Sequence, residues 1–283
     1  MRRTLSAAEP EVVVIERLSI ADFLTLGNAL CGIAALRSIM VKGSFHGTDS
    51  KFFAGAVLLM LIGSICDLFD GRMARRWRSS PFGPHLDNLA DVITFGLVPA
   101  AMVLSWAGFD SQQRALPALV VSAAFFLAIV VRLARYVCAV PEPGIFRGMP
   151  APLCAFTVVA ILVLSPPLPV AMVGVLTVAA LAVSKVPFPK PTSRKLTMIM
   201  VVWAGVVGVC IVAWGTGIPG GGAWIKFAAA SELTVAALIP FVVINMRRQM
   251  KAAGLVTHTR RPMPRPRRRA TRRRNDERAL TRR

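Results

Sequence analysis

Four of the chain's 14 acidic residues follow one another at helical spacing in a single short stretch. Asp67 and Asp70 are three positions apart, and Asp87 and Asp91 are four apart, so on helices the members of each pair share a face. Gly83 continues the second face one turn earlier. A carboxylate inside or at the edge of an apolar span is costly and is by default a candidate for function.

Four negative charges in a low-dielectric site would each lose hydration and would repel one another. Divalent cations would offset both costs. Carboxylate oxygens are hard ligands that favour Mg²⁺ or Mn²⁺ over zinc. A pair of such ions is the arrangement used for in-line phosphoryl displacement. The four aspartates therefore predict a site for two divalent ions, Mg²⁺ or Mn²⁺.

The residues between the aspartates suit a ligand that carries phosphate. Gly71 and Gly83 have no side chain, so a bulky ligand can approach the backbone there. Arg75 offers a bidentate donor to phosphate. A plainer interpretation is that the aspartates form interfacial salt bridges with the arginines of the intervening segment, which are Arg72, Arg75, Arg76 and Arg78. Helical spacing with interposed glycines favours the metal and phosphate site.

Two antiparallel apolar helices joined by a short basic loop would bring the four carboxylates together. A spanning helix needs ~20 predominantly apolar residues, and the 55% hydrophobic content and 17% charged content exclude an ordinary soluble chain. Eight apolar runs are present, at residues 21–41, 52–70, 87–107, 115–138, 150–166, 168–186, 196–215 and 225–246. We expect an all-α integral membrane protein with about eight transmembrane helices; a count of six would merge or demote the short fifth and sixth runs.

The net charge of +20 arises mainly at one end of the chain, because 15 of the 34 Lys and Arg residues fall in residues 247–283. The other cations fall mostly in alternate loops, which places both termini and the aspartates on the cytoplasmic side of a plasma membrane. The prediction has three parts: a cytoplasmic N-terminal segment (1–20), a transmembrane domain that carries the aspartates (21–246) and a basic, disordered cytoplasmic tail (247–283). We expect the tail to contact anionic membrane lipids, with nucleic-acid binding the less favoured alternative.

The aspartates belong to a longer pattern, Asp67-x2-Asp70-Gly71-x2-Ala74-Arg75-x7-Gly83-x3-Asp87-x3-Asp91. It resembles the signature of the CDP-alcohol phosphatidyltransferases, membrane enzymes that transfer a phosphatidyl group from CDP-diacylglycerol to an alcohol and release CMP. The resemblance implies that the four aspartates bind two divalent ions and that Asp91 is also the general base. It further implies a homodimer and contacts to the CDP moiety from Gly71, Arg75, Ser80 and Gly83.

Four further segments resemble the phosphatidylserine synthase branch, which implies L-serine as the acceptor. They are Thr25–Asn28, Arg132–Arg135, Phe146–Pro152 and Ser184–Lys190. Serine needs a cation for its carboxylate, and the candidate acceptor- or phosphate-binding residues are Asn28, Arg132, Arg135, Arg147 and Lys185. Each cation can instead serve only to orient the chain in the membrane. Asp22 departs from the branch, where Asn is usual.

Other functions stay open at this point. The same reaction with glycerol phosphate, inositol phosphate or choline needs the same aspartates. A membrane transporter would place acids at mid-membrane depth on several spans, whereas these acids cluster at one interface. A membrane-tethered nucleic-acid-binding protein would depend on the tail alone and would leave the aspartates unexplained.

Overall fold

The computed structural model describes residues 19–40, 50–76, 83–108, 112–138, 145–189 and 194–252. In chain order its helical elements are α1 (Ile20–Met40), α2 (Ser50–Arg76), α3 (Gly83–Asp91), a π-helical segment (Val92–Leu97), α4 (Val98–Ala107), α5 (Gln112–Cys138), α6 (Ala151–Leu164), α7 (Leu168–Val183), α8 (Arg194–Thr216) and α9 (Gly221–Ala252). The stretch from α3 through the π-helical segment to α4 is continuous and forms one rod.

Six stretches of the described chain are long and apolar enough to cross a membrane, namely Ile20–Met40, Phe52–Gly71, Gly83–Ala107, Gln113–Cys138, Thr197–Thr216 and Gly221–Asn245. Two shorter apolar helices, α6 and α7, have 14 and 16 residues. At about 1.5 Å per residue they fall short of a hydrocarbon core about 30 Å thick. The chain is an all-α membrane protein, as predicted. The number of membrane-spanning helices is six if α6 and α7 do not cross the membrane and eight if they do.

The turn between α6 and α7 is built from Ser165, Pro166 and Pro167. Ser165 adopts a left-handed backbone conformation, with φ of 49°, and its N–H bonds the carbonyl of Leu162. Pro167 immediately precedes α7, where a missing N–H costs nothing because the first helical N–H groups have no partner within the helix. The fifth and sixth apolar runs are thus two separate helices joined by a tight turn.

A two-stranded antiparallel sheet, which the sequence did not suggest, lies between the helices. Strand β1 (Ile145–Arg147) pairs with β2 (Pro187–Pro189), and Phe146 lies opposite Phe188. Gly148 follows β1 with a φ of +83°, and a Cβ there would collide with the carbonyl oxygen of Ala182. Phe188 and Met149 are buried in the hydrophobic core. The sheet thus ties the two loops that follow α5 and α7 to the helical bundle.

The rod Gly83–Ala107 is the most buried of the six long apolar stretches. Helix α1 packs along α2 and against α3, while α5 packs on α4 and α7. Phe95 and Phe125 are fully buried where the rod meets α5. Helix α8 packs on α2 and exposes apolar side chains such as Val202 and Val209, which suits contact with lipid. The acidic residues of α3 are therefore carried on the most enclosed element.

By backbone contacts the chain divides into Met1–Ile244 and Asn245–Arg283. The first unit holds every element introduced above except the end of α9. Of the second unit the structure describes residues as far as Ala252, all helical. Residues 253–283, most of the predicted disordered tail, lie outside the described residues, as do residues 1–18. The three predicted regions therefore stay predictions.

Candidate active site

Three of the four predicted aspartates form a compact carboxylate cluster. Asp67 on α2 and Asp87 and Asp91 on α3 each bring one carboxylate oxygen within 4.8 Å of the other two. Asp87 and Asp91 reach the cluster together because residues four apart lie on the same face of a helix. The prediction that two helices gather these side chains is confirmed for this trio.

The cluster has the properties of a cation site. Asp67 and Asp87 lie close together in the cluster, and Oδ1 of Asp87 is buried with no hydrogen-bond partner among the described residues. A buried acceptor left without a partner is costly, and several carboxylates in one low-dielectric region repel one another. A hard divalent cation would bond the unpaired oxygen and also neutralise the repelling carboxylates. The donor set therefore fits Mg²⁺ or Mn²⁺.

Asp70 lies one turn from Asp67 and is fixed by its own contacts. Its Oδ2 accepts a 2.7 Å hydrogen bond from the hydroxyl of Thr25 on α1. Asp22 on α1 is buried and interacts electrostatically with Asp70. Asp70 thus borders the cluster of Asp67, Asp87 and Asp91, held by α1.

Asp91 is held by α1 as well. Its Oδ1 accepts a hydrogen bond of 3.3 Å from Nδ2 of Asn28, and the hydroxyl of Thr94 donates to the backbone carbonyl of Asn28 at 3.0 Å. Asp91 is only 8% exposed. The π-helical segment begins directly after Asp91 and contains Thr94. One turn of the rod therefore hydrogen-bonds both the side chain and the backbone of Asn28.

Of the four predicted acceptor cations, Arg132 interacts electrostatically with the aspartates. It is 8% exposed, and its Nε donates a 2.6 Å hydrogen bond to the carbonyl of Met149. Its guanidinium interacts electrostatically with Asp67 and Asp91. Its two terminal nitrogens make no hydrogen bond to another described residue. A buried cation beside the carboxylates can thus still bind an anion.

The other three predicted acceptor cations are exposed. Arg135 donates to the carbonyl of Val183 at 2.7 Å and to that of Ser184 at 3.4 Å, where α7 ends, so it satisfies carbonyls that have no partner within the helix. Arg147 on β1 and Lys185 after α7 are both exposed. A role for these residues in acceptor binding stays a prediction.

The predicted contacts to CDP are only partly within the described structure. Gly71 lies in α2 directly after Asp70, and Gly83 is the first residue of α3; both are half-buried. The side chain of Arg75 and the whole of Ser80 lie outside the described residues. Binding of CDP by these four residues is therefore still a prediction.

Sequence reasoning missed three polar residues of the site, Asp22, Thr25 and Thr94. All three are buried. A signal was present for α1, because Asp22, Thr25 and Asn28 recur every third residue in an otherwise apolar helix, and polar residues on one face of such a helix indicate a polar interior contact. Thr94 follows Asp91 by three positions and continues the acidic face of the rod.

Comparison with known proteins agrees with this geometry. The sequence model of a family described as CDP-alcohol phosphatidyltransferase matches residues 18–214, which include every described residue of the site. A CDP-diacylglycerol–serine O-phosphatidyltransferase from Bacillus subtilis (strain 168) is 31% identical over 169 residues, 59% of this chain and 87% of that protein.

Two further relatives align over shorter regions. A Saccharomyces cerevisiae protein that is also called CDP-diacylglycerol–serine O-phosphatidyltransferase is 32% identical over 152 residues, 49% of this chain and 51% of its own length. An archaetidylserine synthase from Methanothermobacter thermautotrophicus is 29% identical over 144 residues, 50% of this chain and 56% of its own. The chain thus spans about half the length of these two relatives.

Proposed function

Because the chain belongs to the CDP-alcohol phosphatidyltransferase family, we propose that it transfers the phosphatidyl group of CDP-diacylglycerol to the hydroxyl of L-serine, forming phosphatidylserine and CMP in phospholipid biosynthesis. The observation that carries the proposal is the cluster of Asp67, Asp87 and Asp91 with the buried cation Arg132 beside it. The names of the relatives support serine as the acceptor.

Two divalent ions, Mg²⁺ or Mn²⁺, are the proposed cofactors, and Asp67, Asp70, Asp87 and Asp91 would hold them. When bound, such ions neutralise negative charge on a pyrophosphate and on a departing phosphate. The proposal is supported by the buried Oδ1 of Asp87 that has no described partner, and by the hydrogen bond from Thr25 that orients Asp70.

Asp91 is the proposed general base. The serine hydroxyl gives its proton to a carboxylate oxygen of Asp91 as the hydroxyl oxygen attacks the phosphorus of the phosphatidyl group. A new P–O bond to serine forms while the P–O bond to CMP breaks, and CMP leaves with the bonding electrons. Asn28 bonds one carboxylate oxygen of Asp91, so the other is available to the acceptor. Direct displacement in this way needs no covalent enzyme intermediate.

Arg132 is the proposed ligand of the serine carboxylate. A guanidinium binds a carboxylate with two parallel hydrogen bonds. Nε of Arg132 is committed to Met149, which fixes the orientation of the guanidinium and leaves Nη1 and Nη2 for the substrate. Arg147 and Lys185, both exposed, are further candidates, while Arg135 would support the loop after α7.

CDP-diacylglycerol is the proposed second substrate. Gly71 and Gly83 leave the backbone accessible beside the aspartates, and Arg75 and Ser80 are proposed to bind phosphate. We further propose that the enzyme acts as a homodimer in the plasma membrane, surrounded by membrane lipids, with both termini and the site on the cytoplasmic side. The distribution of Lys and Arg along the sequence supports this orientation.

The test is an acceptor panel. The purified full-length protein in lipid vesicles is given CDP-diacylglycerol, Mn²⁺ or Mg²⁺ and one acceptor, and released CMP is measured. We expect release with L-serine to exceed release with glycerol 3-phosphate, inositol phosphate or choline by at least about tenfold, a difference of roughly 1.4 kcal/mol. EDTA should abolish it. Equal stimulation by all four acceptors would refute serine as the substrate.

A further inference from the structure

We propose that Asn28 is a positioning residue that holds the carboxylate of Asp91 in its working orientation. The inference rests on the proposed roles of Asp91 as general base and metal ligand. It assigns Asn28 an action through another residue, whereas the sequence suggested direct contact with the acceptor or phosphate.

The first argument is burial combined with a single polar contact. Asn28 is 0% exposed, and its Nδ2 donates to Oδ1 of Asp91 across the interface between α1 and α3. A side chain with no exposed surface does not reach a substrate in this structure. Its amide group therefore acts on the one acidic side chain that it contacts.

The second argument is that Asn28 is itself held in place. Thr94 is also 0% exposed and donates its hydroxyl proton to the backbone carbonyl of Asn28 at 3.0 Å. Because Thr94 follows Asp91 by three residues, α1 and the rod are joined by two hydrogen bonds that share one residue, Asn28. A rotation of either helix would break both bonds.

Two glycines make this close approach possible. A Cβ on Gly63 would lie 2.7 Å from Oδ1 of Asn28, and a Cβ on Gly32 would lie 2.6 Å from Oγ1 of Thr94. Both distances are shorter than an ordinary van der Waals contact. Oδ1 of Asn28 faces Gly63 and has no hydrogen-bond partner in the described part of the chain. In the reverse orientation the amide oxygen would lie against the Asp91 carboxylate and be repelled by it. The amide therefore presents its N–H group to Asp91.

A neutral donor suits this position. Cationic Arg132 already interacts with Asp91 from α5, and a second cation would compete with divalent ions for the same carboxylates. An amide N–H restrains one oxygen of Asp91 without adding charge. Partners of this kind, which orient a metal ligand, are worth about 10- to 100-fold in metal affinity or activity.

The experiment compares Asn28→Leu, which is nearly isosteric and lacks the donor, with Ser38→Ala on the same helix. Within the described part of the chain the Ser38 hydroxyl bonds only the carbonyl of Ala34. We expect Asn28→Leu to lower kcat about 10- to 100-fold and to weaken Mn²⁺ binding, measured by electron paramagnetic resonance, about tenfold or more. At saturating Mn²⁺ the KM for serine should stay within about threefold, because in this proposal Asn28 does not contact serine. Ser38→Ala should match the wild type in every measurement.

A second pair of variants covers the case in which Asn28→Leu does not fold. Thr94→Val removes the hydroxyl that holds Asn28, and Thr94→Ser retains it. We expect Thr94→Val to lower kcat and Mn²⁺ affinity by similar factors. Thr94→Ser should have the kcat and the Mn²⁺ affinity of the wild type.

Two results would overturn the proposal. A raised KM for serine with unchanged kcat in Asn28→Leu would show direct acceptor contact, and unaltered Mn²⁺ affinity together with unaltered kcat would show no role. The measurement of Mn²⁺ binding does not depend on turnover. If the wild type released no CMP with any alcohol, the proposed function would fail, while weakened Mn²⁺ binding in Asn28→Leu would still support the positioning of Asp91.

Discussion

The hydroxyl of Thr25 on α1 donates a 2.7 Å hydrogen bond to Oδ2 of Asp70 on α2, joining residues 45 positions apart in the chain. One turn further along α1, Asn28 donates to Asp91 on α3. Residues three apart share a face of a helix, so a single face of α1 holds one aspartate from each of the two acid-bearing helices. Helix α1 supplies none of the four signature aspartates, yet it sets their orientation.

Thr25→Val should weaken metal binding. Valine keeps the shape of threonine but removes the donor to Asp70, and a hydrogen bond to a charged group is worth about 1.5–3 kcal/mol. We expect the Mn²⁺ concentration for half-maximal CMP release to rise roughly tenfold or more. Thr25→Ser, which keeps the hydroxyl, is the matched control. An identical metal requirement in Thr25→Val and the wild type would contradict the role given to Thr25.

Asp91→Asn should lower kcat by about 10²- to 10⁴-fold, the contribution typical of a general base. The comparison is with Asp67→Asn, which alters a proposed metal ligand that is not the base. Raising the Mn²⁺ concentration should recover part of the activity of Asp67→Asn and little of that of Asp91→Asn. Turnover near the wild-type rate in Asp91→Asn would rule out the base assignment.

Arg132→Lys should raise the KM for serine about tenfold or more, because an ammonium cannot bind a carboxylate with two parallel N–H groups. The KM for CDP-diacylglycerol should change by less than about threefold, since a loss of binding to one substrate leaves the other unaffected. The control is Arg114→Lys, an exposed arginine near the start of α5. If the KM for serine and the KM for CDP-diacylglycerol both rose in Arg132→Lys, Arg132 would have a general structural role.

Gly32→Ala should destabilise the contact between α1 and the rod. The added Cβ would lie 2.6 Å from Oγ1 of Thr94 and 2.9 Å from Cγ2 of Ile93, and overpacking of this kind costs about 1–3 kcal/mol. We expect a lower Tm in detergent. Gly55→Ala on α2 is the control, because no atom of a described residue lies within 4 Å of the added Cβ. Equal Tm values for the two variants would contradict the close approach at Gly32.

Deletion of residues 252–283 should leave the enzyme active. Every described residue of the site lies before residue 190, and the family match ends at residue 214. We expect serine-dependent CMP release within about twofold of the wild type, as for a change remote from the site. Loss of activity with retained folding would instead assign the basic tail a direct part in function.

The carboxylate cluster was predictable because its determinants are local. Helical periodicity places Asp87 and Asp91 on one face, and the apolar runs that flank the aspartates predict two helices joined by a short loop. Arg132 and Arg135 show the limit of this reasoning. They are three residues apart on α5, yet Arg132 bonds Met149 and interacts electrostatically with Asp67 and Asp91, whereas Arg135 bonds the carbonyls at the end of α7.

The membrane-spanning character, the acidic pair on each of two helices and the family resemblance could all be read from the sequence, because each depends on composition or on spacing within one segment. The contacts of Thr25 with Asp70, of Asn28 with Asp91 and of Arg132 with Met149 became visible in the folded chain alone. Periodicity identifies the face of a helix but not the residue opposite it. That partner depends on how closely and at what rotation the helices pack, which Gly32 and Gly63 allow here.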